Sequence, residues 1–380
     1  MPLRIHKINV SNFRNYTAMR LEPQGAQAVV LTGVNGAGKT NLLEAVSLMT
    51  PGRGLRGATL PDLQNCHDSA PWAIAAELET AGGLMTRIGT GPEKDGMRRT
   101  VRLNGKNAKS QSDLANIASA VWLTPQMDRL FLEGASHRRK FFDRLVTTCA
   151  PQHLTTVNRH EKSQRERMKL LREIQTPDPR WLATLEKQIA ADAVAIAAAR
   201  LHVLERINAH AATLHTAQSL FPRPIPTLTG DTEARIADTP AADLEEDLKT
   251  RLRTARSEDA AAGRAQHGAH RCDLDVLYGG RNMPAALCST GEQKGLLVAL
   301  ILAHVLMLQA ETGHTPLILL DEVAAHLDDH RRAQLFEYLA GINGQVWLTG
   351  TEPDIFTPLK NHARHFHLAD GSAMLEKAVS

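Results

Sequence analysis

The sequence is poor in aromatic residues and in cysteine. Phe, Trp and Tyr together make up 4% of the 380 residues, so aliphatic side chains must fill the interior. The cysteines show no C-x-x-C spacing and no pairing pattern, which argues against a zinc site and against a disulfide framework. We therefore expect a reduced, cytoplasmic protein.

Long apolar segments are also lacking. We find no N-terminal stretch with the order of a secretion signal, and no run of about 18 apolar residues that would predict a membrane span. We therefore expect no contact with a membrane. At 43% apolar residues the chain can form large hydrophobic cores, and its length predicts two or three modules.

Charge is unevenly distributed, although the net charge is only +3. Residues 1–150 hold 19 Lys and Arg against 12 Asp and Glu, whereas residues 151–380 hold 25 against 29. The N-terminal part is therefore the candidate surface for an anion such as DNA. Its densest basic patch contains Arg98, Arg99, Arg102, Lys106 and Lys109, with Asn104–Gly105 predicting a hairpin turn. A solvated hairpin explains this patch as well as DNA binding does.

A glycine-rich segment at residues 33–40 matches G-x-x-x-x-G-K-[ST] at every fixed position. It lies between a short apolar strand pattern and an amphipathic helix pattern, as a phosphate-binding loop requires. Lys39 is predicted to reach the β- and γ-phosphates of a nucleotide, and Thr40 to hold Mg²⁺. The other predicted nucleotide contacts here are Gly33, Asn35, Gly36, Gly38 and Asn41.

A second buried-strand pattern, residues 317–320, ends in the two carboxylates Asp321 and Glu322. Beside a phosphate loop this is the Walker B form, in which Asp321 holds Mg²⁺ and Glu322 polarises the attacking water. Gln126 follows another strand pattern and is predicted to sense the γ-phosphate or its metal. Asp328 lies where ATP-binding-cassette proteins have their D-loop.

The segment 289–293 reads Ser-Thr-Gly-Glu-Gln at the start of an apolar helix pattern. Ser289 and Glu292 satisfy a capping box, which explains the segment as an ordinary helix start. The order Ser-x-Gly-x-Gln also matches the ATP-binding-cassette signature. In that interpretation Ser289 and Gly291 contact the γ-phosphate bound by a second subunit, so the function needs a dimer. In the strand pattern at 345–351, threonine and glycine occupy the usual place of the switch histidine.

The N-terminal strand pattern at residues 3–10 is followed by a polar turn that contains Arg14. Arg14 is a candidate to flank the nucleotide base, and an ordinary turn residue fits equally well. Short strand patterns between residues 72 and 103 predict an antiparallel β layer. A helix with Ser136 as its predicted N-cap carries Arg138 and Arg139, which either meet phosphate or form a solvated face.

A charged helical pattern fills most of residues 153–215 and is interrupted at residues 176–179, where two prolines end a helix. We predict a helical hairpin with arms of about 35–50 Å. Residues 221–226 break helicity again, and residues 241–255 form one more helix. These patterns place domain boundaries so that residues 1–149 and 263–380 form the nucleotide-binding fold and residues 150–262 form an inserted helical subdomain.

The motifs, taken in chain order, resemble the RecF family of bacterial recombination mediator ATPases along essentially the full chain. The segments that carry the resemblance are Asn12-Phe13-Arg14, residues 33–40, residues 125–128, Gly134 to Arg139, residues 268–273, residues 289–294 and Asp321-Glu322. The chain departs from the usual family pattern at Ala269, Cys272, Thr290 and Glu292.

The resemblance implies an α/β fold, an ABC-type ATPase head in which a phosphate-loop parallel sheet and an antiparallel β layer carry an inserted α-helical arm. It implies ATP and Mg²⁺ as cofactors, slow DNA-stimulated ATP hydrolysis and a homodimer that forms with ATP. The implied DNA is double-stranded or gapped, with single-stranded DNA left open. The implied protein partner is RecR, with RecO and RecA reached indirectly, in DNA repair, replication and the SOS response.

Two other classes share the core motifs. A DNA-tethering ATPase of the SMC type would need a much longer arm with sustained heptads. An ATPase subunit of an ABC transporter would lack a charged helical arm and would normally keep the switch histidine. Stimulation of ATP turnover by double-stranded DNA separates a transporter subunit from the other two classes.

Overall fold

The computed structural model describes residues 2–80, 82–93, 96, 98–108, 111–173, 177–215, 219–359, 362–369 and 371–375. Lys109 of the basic patch and Thr176 of the predicted helix break lie outside the described residues. The strands are β1 Arg4–Phe13, β2 Tyr16–Leu21, β3 Ala28–Thr32, β4 Ala73–Glu79, β5 Met85–Pro92, β6 Arg99–Leu103, β7 Lys106–Asn107, β8 Ala120–Leu123, β9 Pro224–Thr229, β10 Asp273–Tyr278, β11 Met283–Pro284, β12 Leu317–Leu320, β13 Val346–Gly350, β14 Ala363–Ala369 and β15 Ser372–Leu375. The helices are α1 Lys39–Ser47, α2 Gln111–Ala115, α3 Ala135–Cys149, α4 Gln152–Glu173, α5 Pro179–Leu214, α6 Asp231–Arg235, α7 Ala241–Thr254, α8 Arg256–Ala262, α9 Thr290–Thr312 and α10 Asp329–Gly341.

The first of two compact units comprises residues 1–128, 216–221 and 297–380 and contains two six-stranded sheets. One sheet has the order β15-β14-β3-β13-β12-β8, with all neighbours parallel except β14 and β15. Its central strands β3, β13 and β12 consist entirely of buried residues. They read as continuous apolar runs because both faces of a parallel sheet are covered.

The second sheet of this unit is antiparallel, with the order β2-β1-β4-β5-β6-β7. It is the predicted β layer, and the predicted hairpin turn joins β6 to β7 at Asn104 and Gly105, whose φ angles are 50° and 83°. Positive φ at both turn residues is the geometry that an Asn-Gly pair favours. Strands β2, β14 and β15 were not predicted from the sequence.

The buried side chain of Gln345 joins the two sheets of this unit. Its Oε1 accepts hydrogen bonds from the N–H of Ile5 at 2.9 Å and from Trp347 Nε1 at 3.1 Å. Its Nε2 donates to the carbonyls of Ile5 at 3.1 Å and Ala26 at 2.9 Å. A buried amide is stable only when its donors and acceptor are paired, and Gln345 meets this condition with partners on both sheets.

The second compact unit comprises residues 129–215 and 222–296 and contains α3 to α8 with a three-stranded sheet, β11-β10-β9. Helices α4 and α5 form the predicted hairpin; their 22 and 36 residues correspond to about 33 and 54 Å. Asp178 caps α5 by accepting a hydrogen bond from the N–H of Arg180, and Pro179 occupies the first helical turn. The predicted helix at 241–255 is α7.

Two predictions about this unit are corrected. The proline-rich segment was expected only to break helicity, but it leads into strand β9, which pairs with β10. A strand can contain these prolines because β9 lies at the edge of its sheet. The unit also extends beyond the predicted insertion at 150–262. Helix α3 belongs to it because Asp143 pairs with Arg200 of α5 at 2.8 Å and Arg138 pairs with Asp273 of β10 at 2.6 Å.

Helix α9 is long and apolar enough to cross a membrane by length and composition, so the expectation that no such segment exists is wrong. Within the described residues it is the one helix with this property, and 72% of its most apolar window is buried inside the protein. Such burial is typical of a core helix in a large domain, where an all-round apolar surface is covered by protein.

Candidate nucleotide-binding site

The phosphate-loop segment connects β3 to α1 and has the backbone shape that its glycines permit. Gly33, Gly36 and Gly38 have φ angles of 143°, 86° and 102°. A Cβ atom on Gly33 would lie 2.4 Å from the carbonyl oxygen of Leu368, and one on Gly38 would lie 2.4 Å from the hydroxyl of Tyr16. Gly33 and Gly38 are therefore required by both backbone angle and space.

Lys39 begins α1 and is buried. Its Nζ donates to the carbonyl oxygens of Gly33 at 2.7 Å and Val34 at 3.0 Å. Burial lowers the pKa of Lys39, while the negative charges of Glu322 and Asp321 oppose that shift. The ammonium group therefore lies within the loop and close to the two predicted acidic residues, where it can contact an anion.

Asp321 follows the end of β12, and its N–H donates to the carbonyl of Leu123 at the end of β8. The Thr40 hydroxyl lies 3.0 and 2.9 Å from the two oxygens of the Asp321 carboxylate. Burial raises the pKa of Asp321, and hydrogen bonds from Thr349 and Thr40 oppose that shift. A hydroxyl and a carboxylate brought together in this way are the hard oxygen donors that Mg²⁺ prefers, so these residues fit the predicted metal.

Glu322 is partly buried and has a φ angle of 53°, in the left-handed region that non-glycine residues rarely adopt. Its N–H donates to the Thr349 hydroxyl at 2.9 Å.

Gln126 is exposed in the 3₁₀ turn after β8. Asp328 is exposed and caps α10 by accepting from the N–H of Arg331. Because the carboxyl ends of parallel strands share one sheet edge, the ends of β3, β12 and β13 bring Lys39, Thr40, Asp321 and Glu322 together.

Arg14 is placed differently from its predicted position at the nucleotide base. Its Nε and Nη2 donate to the fully buried carboxylate of Glu44 at 2.8 and 2.9 Å, and its Nη1 donates to the carbonyl of Asp62 at 2.6 Å. The reason is that a buried carboxylate needs paired charge, which Arg14 and Arg56 supply. Arg14 thus stabilises α1 by pairing with Glu44 of that helix.

Sequence reasoning missed two neighbours of the loop, Tyr16 and Arg56. Tyr16 donates through its hydroxyl to the carbonyl of Gly38 at 2.9 Å. Asn41 donates to the side chain of Asn15 at 2.7 Å and accepts from Arg56 at 2.7 Å. No short-range pattern indicates these contacts, because the partners are 15 to 26 residues apart in the chain.

The basic patch divides between two faces of β6. Arg98, Arg102 and Lys106 are exposed, whereas the Arg99 guanidinium donates to the carbonyls of Leu48, Thr50 and Gly52 just after α1. Burial lowers the pKa of Arg99 to about 10. The prediction that Arg99 contacts DNA is therefore wrong. The sequence held a signal for this, because alternation along β6 places Arg99 on the same face as buried Val101.

Arg138 and Arg139 are also engaged within the second unit. Arg138 donates to both carboxylate oxygens of Asp273, at 2.8 and 2.6 Å, and Arg139 donates to the carbonyl of Cys272 at 2.6 Å. Both residues therefore hold α3 against the start of β10 and the residue before it. The prediction that they contact phosphate is wrong, because their donors are used within the protein. Helix α3 begins at Ala135 with Gly134 as its N-cap, so Ser136 is not the cap.

The predicted capping box in the signature segment is confirmed. The N–H and hydroxyl of Ser289 each donate to the Glu292 carboxylate at 2.9 Å, and the N–H of Glu292 donates back to the Ser289 hydroxyl at 3.4 Å. Arg281 pairs with the same carboxylate at 2.5 Å. Ser289 and Gly291 are exposed. The Glu292 carboxylate thus accepts from the neutral donors of Ser289 and from the charged Arg281.

Residues 4–371 match the family described as the RecF/RecN/SMC N terminal domain, and the DNA replication and repair protein RecF of Rhizobium etli is 43% identical over 373 residues, 97% of each chain. The chain belongs to the RecF family. The RecF-ATPrS structure of the recombination mediator protein in the RecFOR pathway has a TM-score of 0.86, with 24% identity over 99% of each chain. The Smc head domain with an extended coiled coil from Pyrococcus furiosus has a TM-score of 0.53, with 14% identity over 98% of this chain and 96% of that one. The predicted family and the predicted ABC-type head are confirmed.

Proposed function

We propose that the protein is an ATP-dependent DNA-binding protein of recombinational repair and replication-fork recovery, which dimerises on DNA when it binds ATP and hydrolyses ATP slowly. The observation that carries this proposal is the gathering of Lys39, Thr40, Asp321 and Glu322 at one edge of the parallel sheet. Membership of the RecF family and the solved RecF-ATP structure support ATP as the nucleotide.

Each residue has a distinct role in the proposed reaction. Lys39 binds phosphate oxygens through its ammonium group, with the loop N–H groups at the start of α1. Thr40 and Asp321 hold Mg²⁺, which supplies charge neutralisation on the phosphates. Glu322 accepts a proton from the attacking water, and its placement beside Asp321 and Lys39 keeps that acceptor close to the phosphate loop.

The signature segment supports a homodimer. Ser289 and Gly291 are exposed at the start of the 23-residue helix α9. The N-terminus of a helix favours a phosphate through the helix dipole, so we propose that Ser289 and Gly291 complete the γ-phosphate site of a second copy. The similar RecF structure is described as part of the RecFOR pathway, which supports RecR as a partner of this protein. We propose that RecO and RecA then act at gapped DNA.

The solvent face of the antiparallel sheet supports DNA binding. One register row across it runs through Arg20, Asn9, Ala75, Gly89 and Arg102. The small residues in the middle place no bulky side chains on this face, and the exposed arginines at both ends can contact phosphates. Arg98 and Lys106 extend the cationic edge.

The arm length distinguishes the alternatives that share these motifs. Helices of about 33 and 54 Å are too short to bridge distant duplexes as a tethering ATPase does. Membership of the RecF family and the basic edge of the sheet favour DNA over a transporter membrane subunit as the partner.

Oligomeric state tests the proposed function. Light scattering of the full chain is expected to give a monomer with ADP, a dimer fraction with ATP, and a larger dimer fraction with ATP and gapped DNA. The physical reason is that ATP binding and dimerisation are linked when each ATP contacts two subunits. An identical mass under all three conditions would contradict the ATP-dependent dimer.

Salt dependence tests the DNA surface. Replacing Arg98, Arg102 and Lys106 together by Gln should lower the magnitude of the slope of log affinity against log salt by about 2 to 3, because each lost phosphate contact on duplex DNA removes about 0.9. Fluorescence anisotropy with duplex DNA at four or five salt concentrations measures the slope.

Arg99→Gln is the contrasting variant for that experiment. Three backbone carbonyls lose their donor, so we expect a lower Tm and a salt slope like that of the wild type. If the triple variant retains the wild-type slope, the hairpin is only a solvated face.

A further inference from the structure

Thr349 is the fourth residue of β13 and is only 1% exposed. Strands β12 and β13 pair in register at Leu320 and Leu348, so Thr349 lies beside the residue that follows β12. That residue is Asp321.

The Thr349 hydroxyl makes one hydrogen bond in each direction. It donates to Asp321 Oδ1 at 2.8 Å and accepts from the N–H of Glu322 at 2.9 Å. A hydroxyl has one proton to donate and lone pairs to accept, so both contacts are satisfied at once. Thr349 is thus bonded to both residues that the proposed reaction uses at this strand end.

Glu322 needs such a contact more than most residues. A left-handed backbone at a non-glycine residue persists only where the surroundings hold it, and such residues cluster at functional sites. The bond from Glu322 N–H to Thr349 fixes the peptide plane that aims the Glu322 side chain. The bond to Asp321 fixes the rotation of its carboxylate, which the Thr40 hydroxyl contacts from the phosphate loop.

We propose that Thr349 is a positioning residue for ATP hydrolysis: its hydroxyl locks Asp321 and Glu322 into one arrangement. This inference rests on the proposed ATPase function. Thr349 touches neither nucleotide nor water in this role, so it should affect the rate of hydrolysis more than the binding of ATP.

The experiment compares kcat and KM for ATP in Thr349→Val, which keeps the shape and removes the hydroxyl, and Thr349→Ser, which keeps the hydroxyl. We expect Thr349→Val to lower kcat by about 10- to 100-fold, the usual effect of removing an outer hydrogen bond to a reacting group. KM and ATP-dependent dimerisation should stay within about threefold of the wild type, because the phosphate contacts of Lys39 are untouched. Thr349→Ser should restore most of the lost rate.

Thr315→Val is the matched control, since Thr315 is also buried and lies two residues before β12, at the opposite end of that strand. It should leave kcat unchanged. Equal kcat losses in Thr349→Val and Thr349→Ser would overturn the proposal and indicate a packing role instead. A wild-type kcat in Thr349→Val would also overturn it, because the hydroxyl would then not be needed. If Thr349→Val does not fold, Thr349→Cys replaces it, and a thiol is expected to give a lower kcat than Ser because it hydrogen-bonds weakly. A wild-type protein without ATP turnover would instead overturn the proposed function.

Discussion

The Glu322→Gln variant is expected to hydrolyse ATP about 10² to 10⁴ times more slowly than the wild type, with little change in ATP affinity. The amide has nearly the shape of the carboxylate but does not accept a proton at neutral pH. The hydrogen bond to Thr349 comes from the backbone N–H of Glu322 and not from its side chain, so the backbone at Glu322 should be kept. Single-turnover hydrolysis and binding of a fluorescent ATP analogue measure the two quantities.

Dimers of this variant should persist on DNA, because hydrolysis is the step that separates the two subunits of the proposed ATP-dependent dimer. The matched control is Glu352→Gln, which removes the same charge from an exposed residue shortly after β13 and should behave as wild type. Normal turnover in Glu322→Gln would assign the proton acceptor to another residue, with Asp328 the next acidic side chain to test.

Mixing two inactive variants should restore part of the ATPase activity, which is the sharpest test of a shared site. Lys39→Ala loses a charge-assisted phosphate contact of about 1.5–3 kcal/mol, so ATP affinity should fall by roughly 10- to 150-fold. Ser289→Arg should bind ATP as the wild type does, but its bulk and charge should keep the signature from reaching the partner's phosphate. Each variant alone should therefore hydrolyse almost no ATP.

A heterodimer of the two variants contains one site with both changes and one site with neither. The unchanged site pairs a wild-type phosphate loop with a wild-type signature, so activity should return in proportion to the heterodimer fraction. Steady-state ATPase assays across mixing ratios measure this. Ser136→Arg, at an exposed serine in the first turn of α3, controls for the added bulk and charge. Full activity of Ser289→Arg alone at low protein concentration would contradict the shared site, because each subunit would then hydrolyse ATP without a partner.

The chemistry-bearing residues of the candidate site were predictable because each lies in a short segment with its own pattern. Lys39 and Thr40 end a glycine-rich loop between a strand and a helix, and Asp321 and Glu322 end an apolar strand. Parallel strands end at a common edge, so those local patterns already imply that the residues meet. The structure then adds the distances.

The surroundings of the site were not predictable in the same way. Arg14 was a candidate for the nucleotide base or a turn residue, and Arg99 belonged to a basic patch. In the structure Arg14 pairs with buried Glu44, and Arg99 donates to carbonyls just after α1. Charge counting does not distinguish an arginine that faces solvent from one that compensates a buried group. For Arg99 the alternation of β6 held that information, whereas for Arg14 the partner is 30 residues away.

Domain boundaries were misplaced for a related reason. Helix α3 has the amphipathic pattern of any packed helix, and only its ion pairs with α5 and β10, 57 and 135 residues further along, show which unit it joins. The family, the fold class and the candidate reacting residues were thus determined by the sequence alone, because local motifs encode them. The contacts of Arg14, Arg99, Arg138 and Thr349 were decided only in the tertiary structure, because their partners are distant in the chain.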